Sequence, residues 1–218
     1  MAKRRNVAAT LPLLALFGLA NLTVSHAMAQ TETWYLDPNH SSVQFSVRHM
    51  GISTVRGTFN KVVGVVVDSA DPSKASVNVT IDTNSVDTRV EKRDQDLRSD
   101  HFFDVAKYPT ITFASKRVES AGAGKLKVTG DLTMHGVTKE VVLDVDGPTP
   151  PMKDPRGTQH RGVSATTTVN RSDYGMTYDA PVVVADQVGI QLDVELVDKA
   201  PGAPRPGPGG PPPTPPAN

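Results

Sequence analysis

Runs in which apolar and polar residues alternate one for one constrain this chain more than any other feature. Ala75, Val77, Val79 and Ile81 interleave with Ser76, Asn78, Thr80 and Asp82. Successive side chains of an extended chain point to opposite faces, so this spacing buries one face of a strand and leaves the other in water. Val43, Phe45 and Val47 alternate in the same way, as do Leu126, Val128, Gly130, Leu132 and Met134, and Val188, Ile190, Leu192, Val194 and Leu196. Residues 34–37 make a short strand ended by Pro38 and Asn39. Residues 55–68 read as extended chain with Phe59, Val63, Val65 and Val67 on one parity, and Gly57 and Gly64 as bulge or bend positions. Residues 110–119, 137–145 and 163–169 supply further strands. His135-Gly136 reads as a type I′ hairpin turn, because both residues accept positive φ. The sum is about eight or nine strands joined mostly by short turns, an all-β antiparallel meander that curls into a barrel.

One stretch breaks the pattern. Residues 83–109 are rich in Glu, Lys, Arg, Gln and Asp, which favour helix over strand. Thr88 followed by Glu91 fits a capping box. Lys92 with Asp96, and Asp94 with Arg98, are spaced i,i+4 as supporting pairs on an exposed face. Val86, Val90 and Leu97 form a narrow apolar stripe, and Phe102 and Phe103 follow before Pro109 ends the segment. So little apolar surface cannot stabilise an isolated helix. The segment is therefore expected to pack across the barrel as a cap, with Val90, Leu97, Phe102 and Phe103 turned inward.

The two ends differ from the middle. Residues 1–29 carry Lys3, Arg4 and Arg5, then an apolar run over residues 7–22, then Ala27-Met28-Ala29, the layout of a cleaved signal peptide. This predicts a periplasmic or secreted protein, cleaved near Ala29; Arg4-Arg5 leaves the twin-arginine and general export routes both open. Residues 200–218 hold nine prolines and four glycines with no aliphatic side chain larger than Ala, so a disordered Pro/Gly-rich tail is expected. Residues 30–199 then form one domain. Removing Lys3, Arg4 and Arg5 from 23 basic residues leaves 20 against 23 acidic ones, a net charge of −3. That balance argues against a nucleic-acid partner. With no cysteine, the chain forms no disulfide and carries no thiol nucleophile. An outer-membrane barrel would need aromatic girdles at both interfaces, for which one Trp, four Tyr and six Phe are few.

Candidate chemistry is sparse. His40, His49, His101, His135 and His160 show no close ligand spacing, and no G-x-S-x-G elbow occurs, so neither a metal site nor a catalytic set is predicted. Asp37 and His40 read as a cross-link at the end of the first strand. Arg171 and Asp173 share a parity and suggest an ion pair or hydrogen-bond network at a barrel end, or contact with a ligand head group. An eight-stranded barrel is either filled by its own side chains or holds one ligand, and the alternation does not decide between them.

Four blocks resemble the YceI-like family of bacterial periplasmic proteins. The first is His40-Ser41-Ser42-Val43-Gln44-Phe45-Ser46-Val47-Arg48-His49-Met50-Gly51 with Val55-Arg56-Gly57-Thr58-Phe59. The second, and most distinctive, is Glu91-Lys92-Arg93-Asp94, Leu97-Arg98-Ser99-Asp100-His101-Phe102-Phe103-Asp104 and Lys107-Tyr108-Pro109. The third is Gly130-Asp131-Leu132-Thr133 with Gly136-Val137-Thr138-Lys139, and the fourth runs from Arg171 to Gly175. The resemblance implies a lipocalin-like barrel enclosing a long polyisoprenoid, such as an isoprenoid quinone, as ligand, with no required cofactor and no catalytic residues. The expected wall, from the apolar parity and these blocks, is Phe45, Val47, Phe59, Val63, Ile81, Val90, Leu97, Phe102, Phe103, Ile111, Phe113, Leu132, Ile190 and Leu192. Transient membrane contact and a homodimer stay open. So do two other readings: an enzyme acting on a lipid-like substrate, and an envelope stress or interaction protein that uses the Pro-rich tail.

Overall fold

A computed structural model describes residues 31–202; the signal peptide expected over residues 1–29 and the tail beyond Gly202 lie outside them. The described strands are β1 (Thr31–Leu36), β2 (Ser42–His49), β3 (Ser53–Phe59), β4 (Val62–Ser69), β5 (Ser76–Asp82), β6 (Val86–Asp87), β7 (Thr110–Ser120), β8 (Lys125–Met134), β9 (Val137–Asp146), β10 (Met152–Lys153), β11 (Gln159–Asn170) and β12 (Val184–Val197). One α-helix, α1, spans Glu91–Arg98.

All the strand pairings are antiparallel and the sheet closes on itself. β1 and β2 lie end to end along one edge of β12, pairing through Leu36 with Leu196 and Val43 with Leu192 respectively. β3 and β4 are likewise two parts of one long strand, β3 paired with β2 and β4 with β1. The ring then runs β4, β5, β7, β8, β9, β11, β12 and back to β1. Counting the two end-to-end pairs as one strand each gives a closed barrel of eight strands. Closure removes most of the free edge; the outer edge of β3 pairs with β6 only at Thr58 and Phe59.

The breaks between collinear strands reset which face is inward. Trp34 and Leu36 face the interior from β1 while Val43, Phe45 and Val47 do so from β2, a change of parity across residues 37–41. The same happens at the corner formed by Asn60 and Lys61, where the Asn60 amide donates to the Ser85 carbonyl at 3.1 Å and the Lys61 amide to Ser85 Oγ at 3.0 Å. A one-residue offset moves every later side chain to the other face. Phe59 and Val62 are therefore both buried, and Val63 is 60% exposed. The parity expected for Val63 and Val65 from an unbroken strand is corrected accordingly, while Val67 still lines the cavity.

Two glycines let aromatic rings lie flat against the inner wall. A Cβ on Gly57 would fall 2.3 Å from Cζ of Phe45, and one on Gly130 would fall 2.5 Å from Cζ of Phe113. His135 and Gly136 form the expected left-handed turn, with φ of 52° and 75°.

The segment 83–109 does cap one end, but by different contacts from those the spacing suggests. Its ends are tied together: the Thr83 amide donates to the Pro109 carbonyl at 3.0 Å and the Thr83 hydroxyl to the Tyr108 carbonyl at 2.7 Å. Between them β6 pairs with the last two residues of β3, Thr58 and Phe59. The helix spans only Glu91–Arg98, and Val90 occupies its N-cap without a side-chain cap bond. Thr88 instead donates its amide, at 2.9 Å, and its hydroxyl to the buried carboxylate of Asp94. Arg93 closes the knot, donating through Nε to the Thr88 hydroxyl at 2.7 Å and through Nη2 to its carbonyl at 2.8 Å. The capping box and the exposed Asp94–Arg98 pair are thus replaced: Arg98 donates to the carbonyls of Asn84 and Val86.

Asp94 is the one acid in this cap that holds buried donors, so its removal strands them. Asp94→Ala should lower unfolding stability by about 1–3 kcal/mol. In a urea titration the midpoint should fall at unchanged slope; an unchanged midpoint would show that the knot does not hold the cap.

Candidate functional site

The barrel encloses a cavity of about 380 Å³, within the range of pockets that hold small apolar ligands. Its middle is lined by Val43, Phe45, Phe59, Ile81, Phe113, Val128, Leu132, Val163, Ile190 and Leu192 among others. Of the expected wall residues, Phe45, Val47, Phe59, Ile81, Leu97, Phe102, Phe103, Ile111, Phe113, Leu132, Ile190 and Leu192 all face it. Val63 does not, for the parity reason given above. Val90 does not either, because the chain enters α1 there in an extended conformation and leaves it 47% exposed.

The two ends differ in chemistry. At the capped end Phe103 meets Phe59 edge-on, centroids 5.5 Å apart, and Phe59 in turn leans on Phe45 at 5.7 Å. Leu97 is the sole apolar side chain of α1 and it faces the cavity. Phe102 packs edge-on against Tyr178, which stacks flat on His101 with centroids 4.1 Å apart. Beside them Arg171 is buried, its guanidinium 5.7 Å from the Phe102 ring. Arg171 and Asp173 do not sit on one face of a strand, since residues Arg171–Tyr174 form a 3-10 turn. Arg171 instead donates to three backbone carbonyls, Nε to Ala185 at 3.1 Å, Nη1 to Met176 at 2.9 Å and Nη2 to Val184 at 3.0 Å. Burial depresses its pKa, which Asp186 and Asp179 partly offset. Next to it burial pushes the Tyr174 hydroxyl up to about 12, so the phenol stays neutral.

The rim outside this end is apolar as well. Met50, Ile52, Tyr178 and Val182 are all exposed. The Met50 amide donates to the Val183 carbonyl at 2.8 Å, which brings the β2–β3 turn beside residue 182.

At the far end the lining turns polar. Trp34, Asp68 and Arg161 all face the cavity there. Arg161 is ion-paired with Asp68 and lies over the Trp34 ring at 5.0 Å. Nε1 of Trp34 and Nε of Arg161 are buried N–H groups with no acceptor. Unmade hydrogen bonds of this kind cost about 1–3 kcal/mol each unless something else accepts them. The alternation gave no sign of this pair: Arg161 lies before residues 163–169, where the strand is expected, and β11 begins earlier, at Gln159.

The histidines lie elsewhere. His135 Nδ1 is 3.0 Å from the Tyr174 carbonyl, a tie between the β8–β9 turn and the 171–174 turn. His40 Nδ1 is 2.9 Å from Asp37 Oδ2, as the cross-link predicts, and His160 Nδ1 is 2.7 Å from Glu195 Oε1. Hydrogen bonds to these carboxylates, Asp37 for His40 and Glu195 for His160, raise both imidazole pKa values.

A family model described as the YceI-like domain matches residues 34–196. The UPF0312 protein of Pseudomonas savastanoi pv. phaseolicola is 38% identical over 187 residues, which cover 84% of this chain and 94% of that protein. A UPF0312 protein of Vibrio cholerae is 38% identical over 165 residues, 73% of this chain and 83% of the relative. Among solved structures, Campylobacter jejuni YCEI protein superposes with a TM-score of 0.63 at 32% identity, covering 70% of this chain and 90% of that one. Burkholderia cenocepacia BcnA gives 0.65 at 25% identity, covering 73% and 98%. A polyisoprenoid binding domain from Saccharophagus degradans shares the fold, with a TM-score of 0.58 at 18% identity over 75% of this chain and 97% of that domain. The chain belongs to the YceI-like family.

Proposed function

We propose that this protein binds a long isoprenoid lipid inside its barrel and carries or sequesters it in the periplasm. The observation that carries the reading is the continuous apolar lining between the aromatic cap and the Trp34 end. Each CH₂ withdrawn from water into such a lining contributes about 0.8 kcal/mol, so a chain of several isoprene units gains most from a long enclosed wall. The polyisoprenoid binding of the Saccharophagus relative points to the same ligand class. Export follows from the signal-peptide pattern of residues 1–29.

The ligand carries a neutral head group with an acceptor oxygen, as an isoprenoid quinone does. Asp68 already neutralises Arg161, so this end offers uncharged demand: the two N–H groups of Trp34 and Arg161 that lack acceptors. A binding role is favoured over catalysis by the lining itself. Among the described residues it includes no histidine, and its one carboxylate is the Asp68 held by Arg161.

Solvent extraction of freshly purified protein followed by mass spectrometry should release an isoprenoid whose homologues differ by one isoprene unit. Protein that emerges ligand-free, and that fails to take up an added isoprenoid quinone, would end the proposal. The cap acts as the gate, because Phe102 seals the cavity against Tyr178 rather than against the main core. Phe102→Ala should speed lipid exchange several-fold with the fold retained, whereas equal exchange rates would move the gate elsewhere. The apolar rim of Met50, Ile52, Tyr178 and Val182 is the surface that meets a membrane during transfer. Ile52→Asp with Val182→Asp should slow quinone transfer from phosphatidylethanolamine–phosphatidylglycerol vesicles without shifting the melting temperature. Unaltered transfer would exclude that route.

A further inference from the structure

On the outer face of the barrel, at the corner where β1 gives way to β2, carboxylates and imidazoles from four separate stretches of chain converge. The backbone accounts for the convergence. The Asp37 amide donates to the Glu195 carbonyl at 2.9 Å, joining the end of β1 to β12. His160 is paired with Val197 across the β11–β12 ladder, which sets it diagonally beside Glu195. Alternation along β12 turns Val194 and Leu196 to the cavity, so Glu195 faces out; on β11 Arg161 is turned in and His160 out.

Within this corner the imidazole of His40 stands between two carboxylates. Its Nδ1 lies 2.9 Å from Asp37 Oδ2 and 3.8 Å from Glu195 Oε1. The three ligand atoms all lie within 4.8 Å of one another. Around them sits a second layer. His160 Nδ1 is 2.7 Å from the same Glu195 oxygen, and its Nε2 is 3.6 Å from Asp154 Oδ2. The other Asp154 oxygen is fixed by the amides of Arg156 and Thr158 at 2.8 and 2.9 Å. Asp37 is similarly held, its Oδ1 accepting the Asn39 amide at 2.8 Å.

The charge of the corner is unbalanced. Asp37, Glu195 and Asp154 are three carboxylates, and among the described residues their ion-pair partners are imidazoles alone, with no lysine or arginine within 4.0 Å. At other points on the surface a carboxylate is matched by a full cation, as Asp144 is by Lys127 and Asp146 by Lys125, although Asp96 is paired only with His101. An imidazole nitrogen set between two carboxylate oxygens is a donor set for a borderline divalent metal, which takes nitrogen and oxygen ligands at about 2.0–2.2 Å. Hard cations such as magnesium demand oxygen alone.

We propose that Asp37, His40 and Glu195 form a surface site for a zinc-like divalent cation. His160 acts as an outer partner that orients Glu195 through its 2.7 Å hydrogen bond to Oε1, the arrangement in which hydrogen-bonded neighbours fix metal ligands. Two carboxylates neutralise the ion, the imidazole supplies selectivity over magnesium, and at least one coordination position stays open to water. The site is separate from the lipid cavity, so it bears on neither the truth nor the failure of the lipid reading.

The test is isothermal titration of the untagged protein with zinc chloride, repeated with magnesium chloride. One saturable zinc site per chain with no saturable magnesium heat is expected. His40→Ala should weaken zinc binding by at least about tenfold, the low end of what loss of even an outer partner costs, and His160→Gln should weaken it about tenfold while leaving it saturable. The His40 side chain is 63% exposed, so its removal should leave the fold intact, which the melting curve checks. His101→Ala, at an exposed pair with Asp96, serves as the control and should change nothing. Absence of a saturable zinc site, equal response to magnesium, or undiminished binding in His40→Ala would each overturn the proposal.

Discussion

Closure of the sheet is the constraint on which the rest depends. Once eight strands pair in a ring, every second side chain of each strand must face one shared interior, and nothing along the chain can opt out except at a break. The breaks are therefore informative. Between β1 and β2, between β3 and β4, and at the shift between Ser115 and Arg117 in β7, the register against the neighbouring strands changes. Such irregularities increase local coiling and let long strands wrap a barrel. The interior they produce is lined by residues that extend far enough to meet each other at the cap but leave a gap along the middle, where Gly57 and Gly130 hold Phe45 and Phe113 flat against the wall.

The cap solves a problem that closure creates. β5 pairs with β4 and not with β3, and β6 takes up the outer edge of β3 only at Thr58 and Phe59. A two-residue strand and an eight-residue helix bearing a single cavity-facing leucine cannot be held by apolar burial alone. They are held by polar groups turned inward: Asp94 collects the donors of Thr88, and Arg98 reaches back to the Asn84 and Val86 carbonyls. A cap secured this way leaves Leu97, Phe102 and Phe103 facing the cavity.

The alternation made most of the barrel legible in advance. β5, β8 and β12 face inward on the parity expected, because each runs without a break over the residues that carried the pattern. Val63 failed because the local signal was weak: Asn60 favours turns but neither it nor Lys61 is Gly or Pro, and the corner is made by contacts to Ser85, remote in sequence. The helix was legible as a helix and not as a set of contacts. Propensity identifies an Asp-rich and Arg-rich helix but cannot say that Asp94 turns inward, since an exposed Asp94–Arg98 pair has the same spacing. The polar end of the cavity was unreadable because Trp34, Asp68 and Arg161 come from β1, β4 and β11, which only closure brings together. At the outer corner the Asp37–His40 contact was legible from its spacing, but the approach of Glu195 from β12 was not.

The asymmetry of the two guanidiniums limits what the cavity can accept. Arg171 at the capped end is committed to the Ala185, Met176 and Val184 carbonyls, and it stitches the 171–174 turn to the start of β12. A charged head group placed there would have to compete with those bonds. Arg161 at the far end is matched by Asp68, leaving donors but no net charge. In the proposed admission route through the Phe102 cap, a head group must cross the apolar middle before it reaches the Trp34 end. An isolated ion would lose its hydration on that path at a cost far beyond what a few donors restore. A neutral carbonyl head crosses at much lower cost and then satisfies the Trp34 and Arg161 N–H groups, so route and destination favour the same ligand chemistry.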